Sequence, residues 1–173
     1  MNKYIYYVEG DDEQKIVDTL KERGNEYIVS GKSIIFNIVQ DDVKRSQLMS
    51  LNKSTVVIII FDNDVLNDSR QNQEIIRKRI TKNISSLKEY CKQVIVVCQY
   101  DNLEDEIIKS TDIRKIKELL NSKSDSDWKR DVLKEKNLMI KLLNKNFKFD
   151  KFWKGILPDF ITKVETHDKI RLK

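Results

Sequence analysis

The sequence predicts an α/β fold, a mostly parallel four-stranded sheet flanked by helices. Three observations point there. The runs Tyr4–Val8, Val56–Phe61 and Val94–Val97 are short and almost continuously apolar, as strands buried on both faces are. Segments with apolar residues at helical spacing separate them, and that alternation implies parallel strands joined by crossover helices. Only one proline and four glycines occur among 173 residues, too few for a turn-rich sandwich or a disordered linker.

The elements follow in order. Lys3–Val8 reads as the first strand. Asp11–Arg23 carries Ile16, Val17 and Leu20 at helical spacing, and Gly24 stops the helix. Tyr27–Val29 reads as the second strand, with a turn at Ser30–Ser33. The segment Ser33–Leu51 is ambiguous, strand-like by propensity but with Ser33 placed to cap a helix. Thr55–Phe61 is the strongest strand, expected at the centre of the sheet. Asp68–Tyr90 is expected to be a helix with Ile75, Ile76, Ile80, Ile84 and Leu87 on one stripe. Gln93–Cys98 is the last strand. Helices are expected at Asn102–Lys109, Ile113–Leu120 and Asp131–Leu143, with a polar break at Ser122–Asp127. The expected division is a main domain over residues 1–121 and a helical, aromatic C-terminal extension over 122–173. Phe147–Phe160 holds four Phe and one Trp. It reads first as packing on its own domain, because large exposed aromatic patches are uncommon on monomers, and second as a surface that docks a partner.

Composition narrows the function. The chain is 39% apolar and 35% charged, with a net charge of +5. Excess Lys and Arg suit a polyanionic partner, although solvated lysine faces give the same composition. Cys91 and Cys98 match no zinc pattern and need no disulfide. His167 is the only histidine and lies in a charged tail where it is expected to be solvated, which leaves no Ser-His-Asp triad. Cys98 falls in an apolar run and is expected to be buried, so a Cys-His pair is disfavoured. No apolar stretch approaches the roughly 20 residues of a membrane span, and no signal peptide opens the chain. A cytoplasmic protein with no membrane partner is expected.

The acids carry the most information. Glu9 directly follows the first strand, and Asp62-Asn63-Asp64 directly follows the central one. Residues just past the ends of parallel strands gather along one edge, where α/β folds bind ligands. Massed carboxylates repel one another and are costly to desolvate. A hard cation such as Mg²⁺, which takes oxygen ligands and bridges to phosphates, resolves both problems. Asp and Asn are also ordinary turn residues and caps after a strand, but two such motifs behind two buried strands favour the metal site.

Tyr-Val-Glu9-Gly10 before a helix, with Ile-Ile-Phe-Asp62-Asn63-Asp64 after a hydrophobic strand, resembles the Toprim domain of topoisomerases, primases and related nucleases. The resemblance spans roughly residues 3–110. It implies that Asp62 and Asp64 hold Mg²⁺ (or Mn²⁺) and that Glu9 coordinates metal or acts as general acid or base. Gly10 is expected to let the backbone turn sharply. Gly31-Lys32-Ser33 falls where such domains turn from strand into helix, which would set Lys32 on the same edge near a phosphate. It is not a Walker loop, since Glu26 stands where the first glycine would be. Glu104 is open to two readings, a second-metal ligand as in nuclease branches of the family or an acid at a helix N-terminus. Glu9-Gly-Asp-Asp-Glu with Asn102-Leu-Glu-Asp-Glu looks most similar to the anti-phage, OLD-like branch.

A short, basic domain of this type is expected to be a metal-dependent endonuclease on DNA or RNA. An ATPase or another defence-system protein is the expected partner, and a homo-oligomer is left open. Two alternatives stand beside it. One is a non-catalytic module, a toxin inhibitor or a subunit of a defence complex, and the other is an RNA-maturation endonuclease.

Overall fold

The computed structural model describes residues 2–24, 26–67 and 72–172. Four strands, β1 (Lys3–Val8), β2 (Lys32–Ile35), β3 (Thr55–Phe61) and β4 (Gln93–Cys98), form one all-parallel sheet in the order β2-β1-β3-β4. The architecture is α/β and Rossmann-like. Every residue of β3 is buried, as its apolar run requires of a strand covered on both faces.

The alternation of side chains along each strand divides the core in two. Tyr6, Val8, Ile58, Ile60, Ile95 and Val97 face one layer, and Ile5, Tyr7, Val57, Ile59, Phe61 and Val96 face the other. The first layer holds α1 (Asp11–Leu20), α5 (Leu103–Ser110), α6 (Asp125–Lys134) and α7 (Leu138–Leu143). The second holds α2 (Arg45–Met49) and α4 (Gln73–Tyr90). A short helix, α3 (Asp64–Asn67), follows β3. Trp128, Phe147, Phe149, Phe152 and Trp153 lie inside the first layer, so the C-terminal third shares the core of the sheet. The expected packing of the aromatic tail on its own domain is met in these residues.

Several expectations about elements are corrected. Tyr27–Val29 is not a strand of the sheet. Its backbone pairs with the C-terminal segment, Val29 N–H donating to Ile170 O and Leu172 N–H to Tyr27 O. The second strand begins instead at Lys32. Gly31 permits this, because a Cβ there would stand 2.6 Å from the carbonyl oxygen of Tyr4. The segment after it therefore starts as strand rather than helix, and continues irregularly through the buried Phe36, Ile38 and Val39. Asn83, buried on α4, satisfies that loop by donating to Ile38 O and Asp41 O and accepting from Val43 N–H.

Helix α1 ends at Leu20 rather than Arg23. In the expected helix 68–90, residues 68–71 lie outside the described residues, and α4 starts at Gln73 with Asn72 as its cap. Ile75 faces outward, off the buried stripe. Ile113–Leu120 forms only a 3₁₀ turn at Ile116–Glu118. Its buried residues Ile113, Ile116 and Leu119 recur every three positions, which is the 3₁₀ period. The expected helix 131–143 is two helices. The first starts earlier because the Ser124 hydroxyl caps it, accepting from Asp127 N–H. It ends where the Glu135 carboxylate accepts Asn137 N–H, a local bond that competes with helix continuation.

Both cysteines are free, and Cys98 is buried as expected; Cys91 is buried too. Among the described residues, no helix is long and apolar enough to cross a membrane. Gly155 lies so close to the end of β4 that a Cβ would stand 2.3 Å from Gln99 O and 2.4 Å from Cys98 O. Gly155→Ala is therefore expected to destabilise the protein by about 1–3 kcal/mol, the usual cost of overpacking. Denaturant unfolding of the variant beside wild type measures this, and an unchanged midpoint would show that the segment does not hold to β4 in solution.

Candidate functional site

The strand order creates a switch point between β1 and β3. From β1 the chain moves outward to β2, then returns to the other side for β3 and β4. Crevices at such points, beyond the carboxyl ends of the strands, are where open α/β sheets bind ligands. Glu9 follows β1 and Asp62 follows β3, so the two acids flank this crevice. The two strands run in register, Tyr7 beside Ile59, which sets Glu9 level with Phe61, the residue before Asp62. The Asp62 N–H donates to the Glu9 carboxylate.

Further acids join them. Ile16, Val17 and Leu20 pin α1 to the sheet, which carries its first turn, Asp11-Asp12-Glu13, over the end of β1. Gly10 caps that helix with extended backbone at φ −144°. The expected sharp turn is therefore absent, and any residue could adopt this conformation. What the glycine supplies is room, since a Cβ would meet Glu13 Oε2 at 2.8 Å and Asp12 Oδ1 at 2.9 Å. Asp64 opens α3 and is exposed, its N–H donating to Asp101 O beyond β4. Gln99, directly after β4, donates from Nε2 to Asp62 Oδ1 at 2.8 Å. Glu104 lies in the first turn of α5 and pairs with Lys129 of α6 at 3.1 Å. Lys129 also reaches Asp12 at 3.6 Å.

These acids perturb one another strongly. Burial, then the negative charges of Glu13 and Asp64, push Glu9 up to about 8 against the pull of the Asp62 N–H. Burial, then Glu9, Asp64, Glu104 and Asp12, push Asp62 up to about 8. Glu13 is raised by burial and by its hydrogen bond and charge interaction with Asp12. Burial works against the charge of Lys129, but the hydrogen bond and charge of Glu104, with Asp12 and Glu13 behind it, outweigh that and raise its pKa. Glu9 Oε1 and Gln99 Oε1 are shut from water without a hydrogen-bond partner. All the side-chain acceptors here are oxygens, the donor set a hard divalent cation prefers. Among the described residues, no group of three or more acidic, cysteine or histidine side chains is spaced to hold a metal ion as it stands.

The structure thus brings Glu9, Asp62, Asp64 and Glu104 to one edge, and leaves Lys32 away from it. Lys32 opens β2 beside Ile5, exposed, and four residues of strand, roughly 13 Å, separate Ile5 from Glu9. The residues not anticipated are Asp12, Glu13, Gln99 and Lys129. The first two carried a signal, because acids in the first turn of a helix that follows Glu9 must lie near it. Lys129 carried none, since its place depends on how α6 packs on α1. Glu106, fully buried, is structural. It accepts Tyr100 N–H and Trp153 N–H, both at 2.8 Å, while burial pushes its pKa up to about 7. His167 is half-buried rather than solvated, and burial lowers its pKa.

In comparisons with known proteins, no family model, no curated protein and no solved structure matches the chain.

Because Glu9 and Asp62 hold protons to about pH 8 when folded and to roughly pH 4 when unfolded, the folded state binds more protons in between. Their stabilising contribution is complete below about pH 4 and is lost as pH rises through 8. In EDTA the melting temperature is expected to fall from pH 5 to pH 8. Asp62→Asn keeps the acceptor for Gln99 and removes the charge. It should flatten this fall and melt roughly 2–4 °C above wild type at pH 8, the shift that about 1 kcal/mol produces in a protein of this size. Equal pH slopes for the two proteins would show that the acids are not crowded.

Proposed function

We propose that this chain is a divalent-metal-dependent nuclease of Toprim type, hydrolysing phosphodiester bonds in nucleic acid. The observation that carries the reading is the pair Glu9 and Asp62, set at the switch point and both driven far from their ordinary ionisation by burial and by the charges of neighbouring acids. Strongly perturbed acids gathered at the carboxyl edge of a sheet are candidates for a functional site. Glu9, Asp62 and Asp64 would hold Mg²⁺ or Mn²⁺, with Glu13 and Glu104 beside them. When bound, such a cation supplies an activated water and neutralises charge developing on phosphate oxygens. The chain's own residues hold the acids in place. Gln99 fixes Asp62 Oδ1, the Asp62 N–H orients Glu9, and Lys129 limits the repulsion reaching Asp12 and Glu104. The net charge of +5, despite this acidic edge, supports a polyanionic substrate. On the same reading an ATPase or other defence-system protein is a partner, and the protein works in the cytoplasm.

The absence of any preformed group of three ligands among the described residues favours a second reading. In it the domain is a non-catalytic module that binds a partner through the same edge.

Incubation with labelled single- and double-stranded RNA and DNA, with Mg²⁺, Mn²⁺ or EDTA, separates the two. The nuclease reading expects cleavage that requires the metal. It expects Asp62→Ala/Asp64→Ala to lose more than the roughly 10–100-fold that removal of an outer-shell metal partner costs. Folded wild-type protein that cleaves nothing with any metal would leave the binding module.

A further inference from the structure

Beside the acidic edge lies a cleft of about 380 Å³ lined by Tyr100, Lys109, Asp150, Lys151 and Lys154. Its volume is within the roughly 300–1,000 Å³ range of small-ligand sites. Three lysines face one aspartate, so the cleft is basic while the neighbouring edge is acidic. Tyr100 is 37% exposed, and Lys109 Nζ stands 3.7 Å from the centre of its ring. A cation held against an exposed aromatic ring is the combination that single-stranded nucleic acid sites use, the ring for a base and the charges for the backbone.

The cleft is built rather than incidental. Its walls are Tyr100 after β4, Lys109 of α5 and the segment from Asp150 to Lys154, and one buried carboxylate ties the first wall to the last. Glu106 accepts Tyr100 N–H through one oxygen and Trp153 N–H through the other. Trp153 holds φ +59°, a conformation that bulky residues rarely adopt and that surrounding contacts must enforce. Gly155 then seats the chain on the carbonyls of Cys98 and Gln99, placing Lys154 at the carboxyl end of the sheet. Tyr100 follows Gln99, whose amide is bonded to Asp62. The cleft therefore opens one residue away from a direct contact of the acidic centre.

We infer that this cleft seats an unpaired nucleic acid strand next to the acidic edge, with a base against Tyr100 and backbone phosphates on Lys151 and Lys154. A paired base cannot lay its face on the ring, so the substrate class is single-stranded. The inference rests on the nuclease reading for its purpose, but binding can be measured without cleavage.

The test is fluorescence anisotropy in EDTA with a labelled 12-nucleotide strand, as RNA and as DNA, and with the matching duplexes, between 50 and 200 mM salt. Wild type should prefer the single strand. Lys151→Ala/Lys154→Ala should weaken binding and lower the slope of log K against log salt by about 1.4, since each phosphate that a lysine neutralises on a single strand adds about 0.7 to that slope. Tyr100→Ala should cost about 5- to 150-fold at constant slope, and Tyr100→Phe should restore affinity. Lys32→Ala/Lys78→Ala, at exposed lysines elsewhere, should bind as wild type. All the substituted side chains lie at the surface, so the variants are expected to fold. Duplex preference, no binding by wild type, or equal losses in the cleft and control variants would each overturn the inference. The same proteins assayed with Mg²⁺ keep the two proposals apart. Cleavage with unchanged kcat/KM in the cleft variants removes the cleft and keeps the nuclease. Binding as expected without any cleavage keeps the cleft and removes the nuclease.

Discussion

Two carboxylates are held next to each other at the ends of adjacent parallel strands, and much of the molecule is arranged around that. Glu9 and Asp62 cannot separate, because β1 and β3 are in continuous register below them and β3 is buried along its whole length. They cannot reach bulk water easily either, since α1 folds its own acids over the same end of the sheet. The rigid core therefore fixes an electrostatic conflict that side-chain motion alone cannot remove. A buried carboxylate resolves such a conflict by keeping its proton, by hydrogen bonding, or by taking up a cation.

All three routes are visible in the neighbours. The raised pKa values of Glu9, Glu13 and Asp62 represent the first. Gln99 Nε2 and the Asp62 N–H represent the second. Lys129, between Glu104 and Asp12, is an internal cation and represents the third, but only on one side of the cluster. Glu9 Oε1, by contrast, accepts no hydrogen bond. Compensation by hydrogen bonds is thus incomplete at one oxygen of the pair, which is where an external cation would gain most.

The core strands are legible in the sequence because burial on both faces leaves no room for polar residues, and β1, β3 and β4 are found with the expected bounds. The second strand is not, because Tyr27–Val29 and Lys32–Ile35 have similar propensity. What separates them is tertiary. The C-terminal residues pair with the former, and Gly31 brings the latter against Tyr4. The misplacement of Lys32 follows from that single error, since moving the strand start moves the lysine to the opposite end of the sheet. Asp62, Asp64 and Glu9 are legible because a strand end is a defined place on an α/β fold. Lys129 and Gln99 are not, because nothing local distinguishes them from the other lysines and amides of the chain. The 3₁₀ turn at Ile116–Glu118 shows a finer limit. Ile113, Ile116 and Leu119 look amphipathic at either period, and a difference of about 0.6 residue per turn does not show over so short a segment.

The C-terminal third changes what the edge is. Without it, residues after β4 would end in a free loop, and Asp64, whose N–H bonds to Asp101 O, would rest on that loop. Glu106 prevents this by holding Tyr100 and Trp153 to one carboxylate inside the core. Both its oxygens are occupied by N–H donors, so ionisation is opposed by burial but favoured by geometry, and burial wins enough to leave the group near neutrality. Because Trp153 and Phe152 are themselves packed among Phe147 and Phe149, the position of the loop after β4 is set by an aromatic cluster formed by residues 147–153. Those residues are thus part of what positions the acids, and an extension in sequence becomes a wall of the site in space.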